Sequence, residues 1–60
     1  MTTAERVWTH ATSEQSDEVV AIWMDTYNRG LGERPVDAVA AGRTGAVLAA
    51  WDAYMEGAYA

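Results

Sequence analysis

The alternation of apolar and polar positions predicts an amphipathic helix in the first half of the chain. At about 100° per residue, large apolar side chains fall on one stripe and charged or amide side chains fall opposite. The polar side carries Asp17, Glu18 and Asp25. The apolar stripe contains Val19, Val20, Trp23, Met24 and Tyr27, with Leu31 extending it beyond the helix.

Residues 13–29 are the expected span of this first helix. Gly30 suits the left-handed position that follows many helices, so it marks the end. Two starts are open. Thr12 and Gln15 have the spacing of a capping box, and Ser16 is followed by acidic residues that favour a first helical turn.

A second helical pattern runs over residues 35–57, after a turn at 30–34 that contains two glycines. Pro35 suits the first turn of a helix, because its fixed φ is helical and its missing N–H would have no partner there. The turn is short enough to join antiparallel helices. The pattern therefore predicts an all-α helical hairpin. The bulky face of the second helix contains Val36, Val47, Trp51, Tyr54 and Met55, with Leu48 at its edge.

The segment Gly42-Arg43-Thr44-Gly45 allows three interpretations. A phosphate-binding loop would need a preceding strand and a Lys-Ser/Thr pair, which this segment lacks. A break would use Gly42 to end one helix and Thr44 to start the next. We favour the third interpretation, a continuous helix, although glycine costs about 1 kcal/mol in a helix interior.

A continuous second helix would carry a face of small residues opposite its bulky face. Such a face lets another helix approach closely, and we expect it to mediate self-association as a homodimer or larger assembly in a dimeric helical bundle. Alanine is also the best helix former, which explains its abundance without an interface. Both explanations stay open. The small-residue face consists of Ala38, Ala41, Gly42, Gly45, Ala46, Ala49 and Ala53.

Residues 3–11 fit two structures. As a strand, Val7, Thr9 and Ala11 would face one side and Trp8 and His10 the other; as a short helix, Thr3 would cap it and Val7, Trp8 and Ala11 would pack. We favour an extended arm over residues 1–12, whose Trp8 covers the end of the hairpin.

Composition limits the classes of function. The chain has 60 residues, no cysteine, one histidine and a net charge of −5, and all four of its basic residues are arginines. A single small domain is expected, without disulfides, and binding to nucleic acid is disfavoured. The first six residues carry no signal-peptide pattern and the apolar runs are short, so we expect a cytoplasmic protein with no membrane span.

His10 is a weak candidate for catalysis. A triad needs an orienting carboxylate and an oxyanion hole on a rigid scaffold, and the pattern around this lone imidazole indicates a solvated surface residue instead. We therefore expect no enzyme activity, no cofactor and no metal site.

Aromatic and charged residues outside the apolar stripes are candidates for partner contacts. Trp8 and Tyr59 do not belong to either stripe. Asp52 and Glu56 lie four residues apart at the border of the small-residue face, where they would pair with Arg34 or Arg43 of a second copy and set the register of a dimer. The candidate contacts are Trp8, Arg43, Asp52, Glu56 and Tyr59.

Three short patterns carry a resemblance: Ile22-Trp23-x-x-x-Tyr27-Asn28, Pro35-x-x-Ala38-Val39 and Ala50-Trp51-x-x-Tyr54. Together they resemble short uncharacterised helical accessory proteins of bacteriophages and mobile elements in high-GC bacteria. The resemblance implies a small accessory protein that binds a host or partner protein.

Two functions follow from the sequence. The first is a non-enzymatic, acidic protein-binding module, whose folded dimer would offer enough area for a standard interface. The alternative is a dimeric DNA-binding regulator of the ribbon-helix-helix style, in which residues 5–12 form the ribbon and Arg6 and His10 read bases.

Overall fold

The chain is all-α. The computed structural model describes residues 2–58, without the side chains at positions 3 and 58, and contains no strand within that range apart from a single bridge between Asn28 and Glu33. The expected all-α class is confirmed, with four helices in place of two main ones. They are α1 (Thr3–Thr12), α2 (Asp17–Met24), α3 (Pro35–Ala40) and α4 (Thr44–Ala58).

The segment expected to be an extended arm is helix α1. Its cap is Thr2, whose hydroxyl accepts a hydrogen bond from the Glu5 N–H at 3.2 Å. Helical spacing places Val7 and Ala11 in the core, where both are fully buried, and leaves Thr9 exposed. A strand would have turned Thr9 to the same side as these apolar residues, which explains why the arm prediction was wrong.

Helix α2 begins at the second of the two predicted starts. The Ser16 hydroxyl accepts from the Val19 N–H at 3.3 Å, and the acids Asp17 and Glu18 occupy the first turn. The helix ends at Met24, well before the predicted end at residue 29. Beyond it, the Thr26 hydroxyl donates to the Ile22 carbonyl at 2.6 Å.

The loop between α2 and α3 is built around Asn28. Its side-chain oxygen accepts from the Leu31 N–H at 3.0 Å, and its carbonyl accepts from the Gly32 N–H at 2.8 Å. Gly32 has φ 75°, so the left-handed position falls there and not at Gly30, as the sequence had suggested. Leu31 is buried and anchors the loop to the core.

The predicted second helix is broken between α3 and α4. Gly42 adopts φ 81°, and its N–H donates to the Val39 carbonyl at 3.0 Å while the Arg43 N–H donates to the Ala38 carbonyl at 2.9 Å. This pair of bonds is the Schellman arrangement that ends helices at a left-handed glycine. The continuous helix was therefore the wrong choice, and the predicted Pro35 start of α3 is confirmed.

All four helices and the loop contribute to one core. Trp23 and Trp51 pack edge to face, with ring centroids 5.1 Å apart. α4 packs against both α1 and α3. The buried hydrophobic residues are Val7, Ala11, Val20, Trp23, Leu31, Ala38, Val47, Trp51 and Met55.

Three residues predicted for the core are exposed instead: Tyr27, Val36 and Tyr54. Tyr27 lies beyond the observed end of α2, so it does not share the buried face of that helix. In the short helix α3, Pro35 and Ala38 share the buried face, and Val36 is rotated away from it.

Among the helices of residues 2–58, none combines the length and the apolar character that crossing a membrane requires.

Candidate partner-binding surface

An apolar groove lies on the surface where residues of α2 meet Tyr54 of α4. Its volume is about 340 Å³. Ile22 is 69% exposed and Tyr54 is 44% exposed, while Trp23 is buried, at 8%. The groove is lined by Val19, Ile22, Trp23, Thr26 and Tyr54.

Acidic side chains border Ile22 on α2. Glu18 precedes it by four residues within α2, and Asp25, which caps the end of α2, follows it by three, so both lie close to it. Asp25 accepts a hydrogen bond from Arg34 Nη1 at 2.7 Å. In the described chain Glu18 takes part in no ion pair. The Glu18 side of the groove therefore carries an uncompensated negative charge.

Arg34 is held by two acids of its own chain. Its Nε donates to Asp37 at 3.0 Å, in addition to the Asp25 contact. The hydrogen bond and charge of Asp37, and then the charge of Asp25, raise the pKa of Arg34 above its ordinary value. Arg34 thus forms a bridge from the end of α2 to the start of α3.

Arg43 is likewise engaged within the chain. Its Nη1 donates to the Leu31 carbonyl at 3.2 Å and to the Glu33 carboxylate. These contacts tie the α2–α3 loop to the α3–α4 junction. The structure therefore places Arg43, a predicted partner contact, in a stabilising role, and the two arginines expected to pair across a dimer already have partners in their own chain.

His10 is not an isolated surface residue. Its Nε2 lies 3.1 Å from Asp52 Oδ1 and 3.6 Å from Glu14 Oε1. The indole N–H of Trp51 donates to Glu14 Oε1 at 3.0 Å. The ligand atoms of His10, Glu14 and Asp52 all lie within 4.8 Å of one another, which is close enough to share a metal ion.

The spacing within helices predicts a different grouping of these acids. It pairs Asp52 with Glu56 and gives Glu14 no role, because it relates only residues of the same helix. His10 and Asp52 are separated by 42 positions and meet only through the packing of α1 on α4. Only the i,i+4 spacing of His10 and Glu14 was visible in the sequence.

The other predicted contacts are dispersed. Trp8 is 37% exposed on α1 and lines a shallow depression of about 370 Å³ with Met24 of α2. Glu56 is exposed on α4. Tyr59 lies outside the described residues. Neither Trp8 nor Glu56 lines the groove.

The predicted small-residue face is divided by the break at Gly42. Ala38 is fully buried in the core of its own chain and Ala46 is half-buried. On α4 the exposed residues Gly45, Ala49 and Ala53 form a stripe with i,i+4 spacing. A methyl group added at Gly45 would meet no atom outside its own turn of helix within 4 Å. The exposed members of the predicted face are Ala41, Gly42, Gly45, Ala49 and Ala53.

Comparison of the chain with known protein families, curated proteins and solved structures finds no match. The described fold by itself defines the class of protein: a small four-helix all-α domain with an apolar groove bordered by acidic residues. The resemblance to accessory proteins of bacteriophages stays a prediction.

Proposed function

We propose that this chain is a non-enzymatic, acidic protein-binding module that takes an amphipathic, basic segment of a partner protein into the groove between α2 and α4. The observation that carries this proposal is the exposure of Ile22, which is 69% open to solvent in a groove that the half-exposed ring of Tyr54 and the buried ring of Trp23 also line. Adjacent exposed apolar and aromatic side chains are typical of protein interfaces.

The charge of the chain supports a basic partner. The net charge is −5, and Glu18 lies next to Ile22 on the helix surface. Opposite charges at the rim of an interface speed association and favour the correct partner over like-charged competitors. The partner segment would place an apolar side chain against Ile22 and a lysine or arginine near Glu18.

The setting we propose is that of a phage-type accessory protein acting on a host or partner protein. The resemblance noted in the sequence supports it. The alternative, a ribbon-helix-helix regulator, requires strands over residues 5–12, whereas these residues lie within helix α1. The protein-binding proposal therefore has the stronger structural support.

The test uses two synthetic amphipathic peptides of identical leucine pattern, one with lysines and one with glutamates at the polar positions. We expect the lysine peptide alone to bind and to shift the tryptophan emission, because Trp23 lines the groove. Substitution Ile22→Ser should weaken binding about tenfold or more, since burial of such a side chain contributes about 1.5–3 kcal/mol. Isothermal titration calorimetry measures both affinities.

The matched control is Ala21→Ser, which alters an exposed neighbour on α2 that does not line the groove. It should change the affinity less than twofold. Equal binding of the two peptides, or equal affinity of the Ile22→Ser and Ala21→Ser variants, would contradict the proposal.

A further inference from the structure

The cluster formed by His10, Glu14 and Asp52 has the dimensions of a metal site. Zinc bonds of about 2.0–2.2 Å to nitrogen and oxygen place neighbouring ligands of a tetrahedron about 3.3 Å apart. The two separations from the imidazole nitrogen, 3.1 Å to Asp52 and 3.6 Å to Glu14, lie on either side of that value. All three side chains are exposed and lie within 4.8 Å of one another, so they have room to rotate toward one ion.

The donor set favours a transition metal over calcium or magnesium. A neutral imidazole contributes Nε2 as a ligand, and the two carboxylates supply the charge of −2 that balances a divalent ion. Calcium requires six to eight oxygen ligands, and magnesium has little affinity for imidazole. Three protein ligands leave one position of the tetrahedron for water.

One of the ligands is held in place by a buried neighbour. Trp51 is fully buried, and its indole N–H donates to Glu14 at 3.0 Å. A carboxylate has lone pairs for both the indole hydrogen and an ion. Hydrogen bonds of this kind, from residues outside the ligand set, orient ligands and strengthen metal binding.

Arg6 opposes the cation. It lines the same surface cavity as His10 and Asp52, one helical turn before His10 on α1. Its positive charge repels a divalent ion, so the affinity of the site depends on where this guanidinium lies.

We propose that His10, Glu14 and Asp52 form a binding site for a divalent transition-metal ion of the Zn²⁺ class, which clamps the end of α1 to α4. This revises the expectation from the sequence that no metal site exists. The site shares no residue with the groove assigned to the partner protein. Failure of one proposal in its test therefore leaves the other unaffected.

The test is calorimetric titration of the untagged chain with Zn²⁺, followed in parallel by NMR. His10 is the only histidine, so its two imidazole C–H resonances report on this site alone. We expect one equivalent of Zn²⁺ to shift or broaden them, and Mg²⁺ to leave them unchanged. Binding should weaken as the pH is lowered, because protons compete for the imidazole.

Removal of a ligand supplies the decisive comparison. His10→Ala should lose tenfold or more in Zn²⁺ affinity, since loss of even an outer hydrogen-bond partner costs about 10–100-fold. Asp52→Asn should do the same, and Arg6→Gln should tighten binding. The control Asp17→Asn removes the same charge from an exposed position on α2 and should change the affinity less than twofold.

The proposal is overturned if Zn²⁺ leaves the imidazole resonances in place, or if it binds His10→Ala and Asp17→Asn with equal affinity. Circular dichroism of each variant establishes that its helices are intact, so that a loss of binding is assigned to the ligand and not to unfolding. A Zn²⁺-dependent rise of the thermal midpoint in the wild type, absent from His10→Ala, would confirm the clamp.

Discussion

At the scale of single residues, Trp51 joins the core to the surface cluster. Its ring is fully buried and stacks edge to face against Trp23, at 5.1 Å between centroids. Its one polar atom reaches Glu14. A buried indole usually finds such a partner, because an N–H without one is costly in the interior. The same side chain therefore stabilises the core and positions a carboxylate.

Substitution Trp51→Phe should lower the free energy of unfolding by about 1 to 3 kcal/mol, because it removes buried volume and the hydrogen bond to Glu14. Urea denaturation followed by circular dichroism at 222 nm measures the change. The matched control is Trp8→Phe, at a tryptophan that is 37% exposed, and its effect should stay within about 0.5 kcal/mol. Equal losses in the two variants would show that Trp51 has no special place in the core.

At the scale of helices, two nearby glycines have opposite roles. Gly42 ends α3 in the left-handed region with φ 81°, whereas Gly45 lies within the first turns of α4 and an added methyl group there meets no neighbour. For any other L-residue the left-handed conformation costs about 1–2 kcal/mol. In a helix, by contrast, alanine is favoured over glycine.

The same substitution at these two glycines should therefore have opposite signs. Gly42→Ala should destabilise the fold by about 1 kcal/mol or more, and Gly45→Ala should stabilise it by a few tenths to about 1 kcal/mol. Thermal unfolding monitored by circular dichroism compares the two variants directly. Destabilisation of similar size in both would argue against the break at Gly42.

At the scale of the whole molecule, the fold buries a small core that is shared by four short helices and a loop. A domain of this size buries only about 60% of the surface exposed by its unfolded chain, so additional association would stabilise it. The stripe Gly45, Ala49 and Ala53 stays exposed on α4. Self-association through this stripe is the form in which the sequence prediction can still hold, since Ala38 lies in the core.

Gly45→Leu should disrupt such a dimer, because it places bulk where close helix contact requires a small residue. Sedimentation equilibrium of the wild type and the variant measures the mass of each. Ala21→Leu, which adds bulk at an exposed position on α2, serves as the control, and this variant should sediment with the same oligomeric mass as the wild type. A wild type that sediments as a folded monomer would rule out this interface.

Local chemistry explains which parts of the fold the sequence predicted correctly. The Ser16 cap and the Pro35 start depend on residues within one helical turn. The Pro35 start is as expected, and Ser16 was one of the two starts left open, although the expected span began at residue 13. The sequence allowed both a break at Gly42 and a continuous helix. Which of the two forms depends on how α4 folds back onto the core. Helical periodicity identified Trp23 and Trp51 as core residues, and it failed for Tyr27 because α2 ends before that position.

The helical character of the chain, its acidity and most of its large core residues follow from the amino-acid order alone, because periodicity, caps and charge are properties of neighbouring positions. The helical state of residues 3–12, the exposure of Ile22 in a groove and the contact of His10 with Asp52 across 42 positions follow only from the packed fold. Those outcomes depend on which faces pack together, and packing joins residues that no local pattern relates.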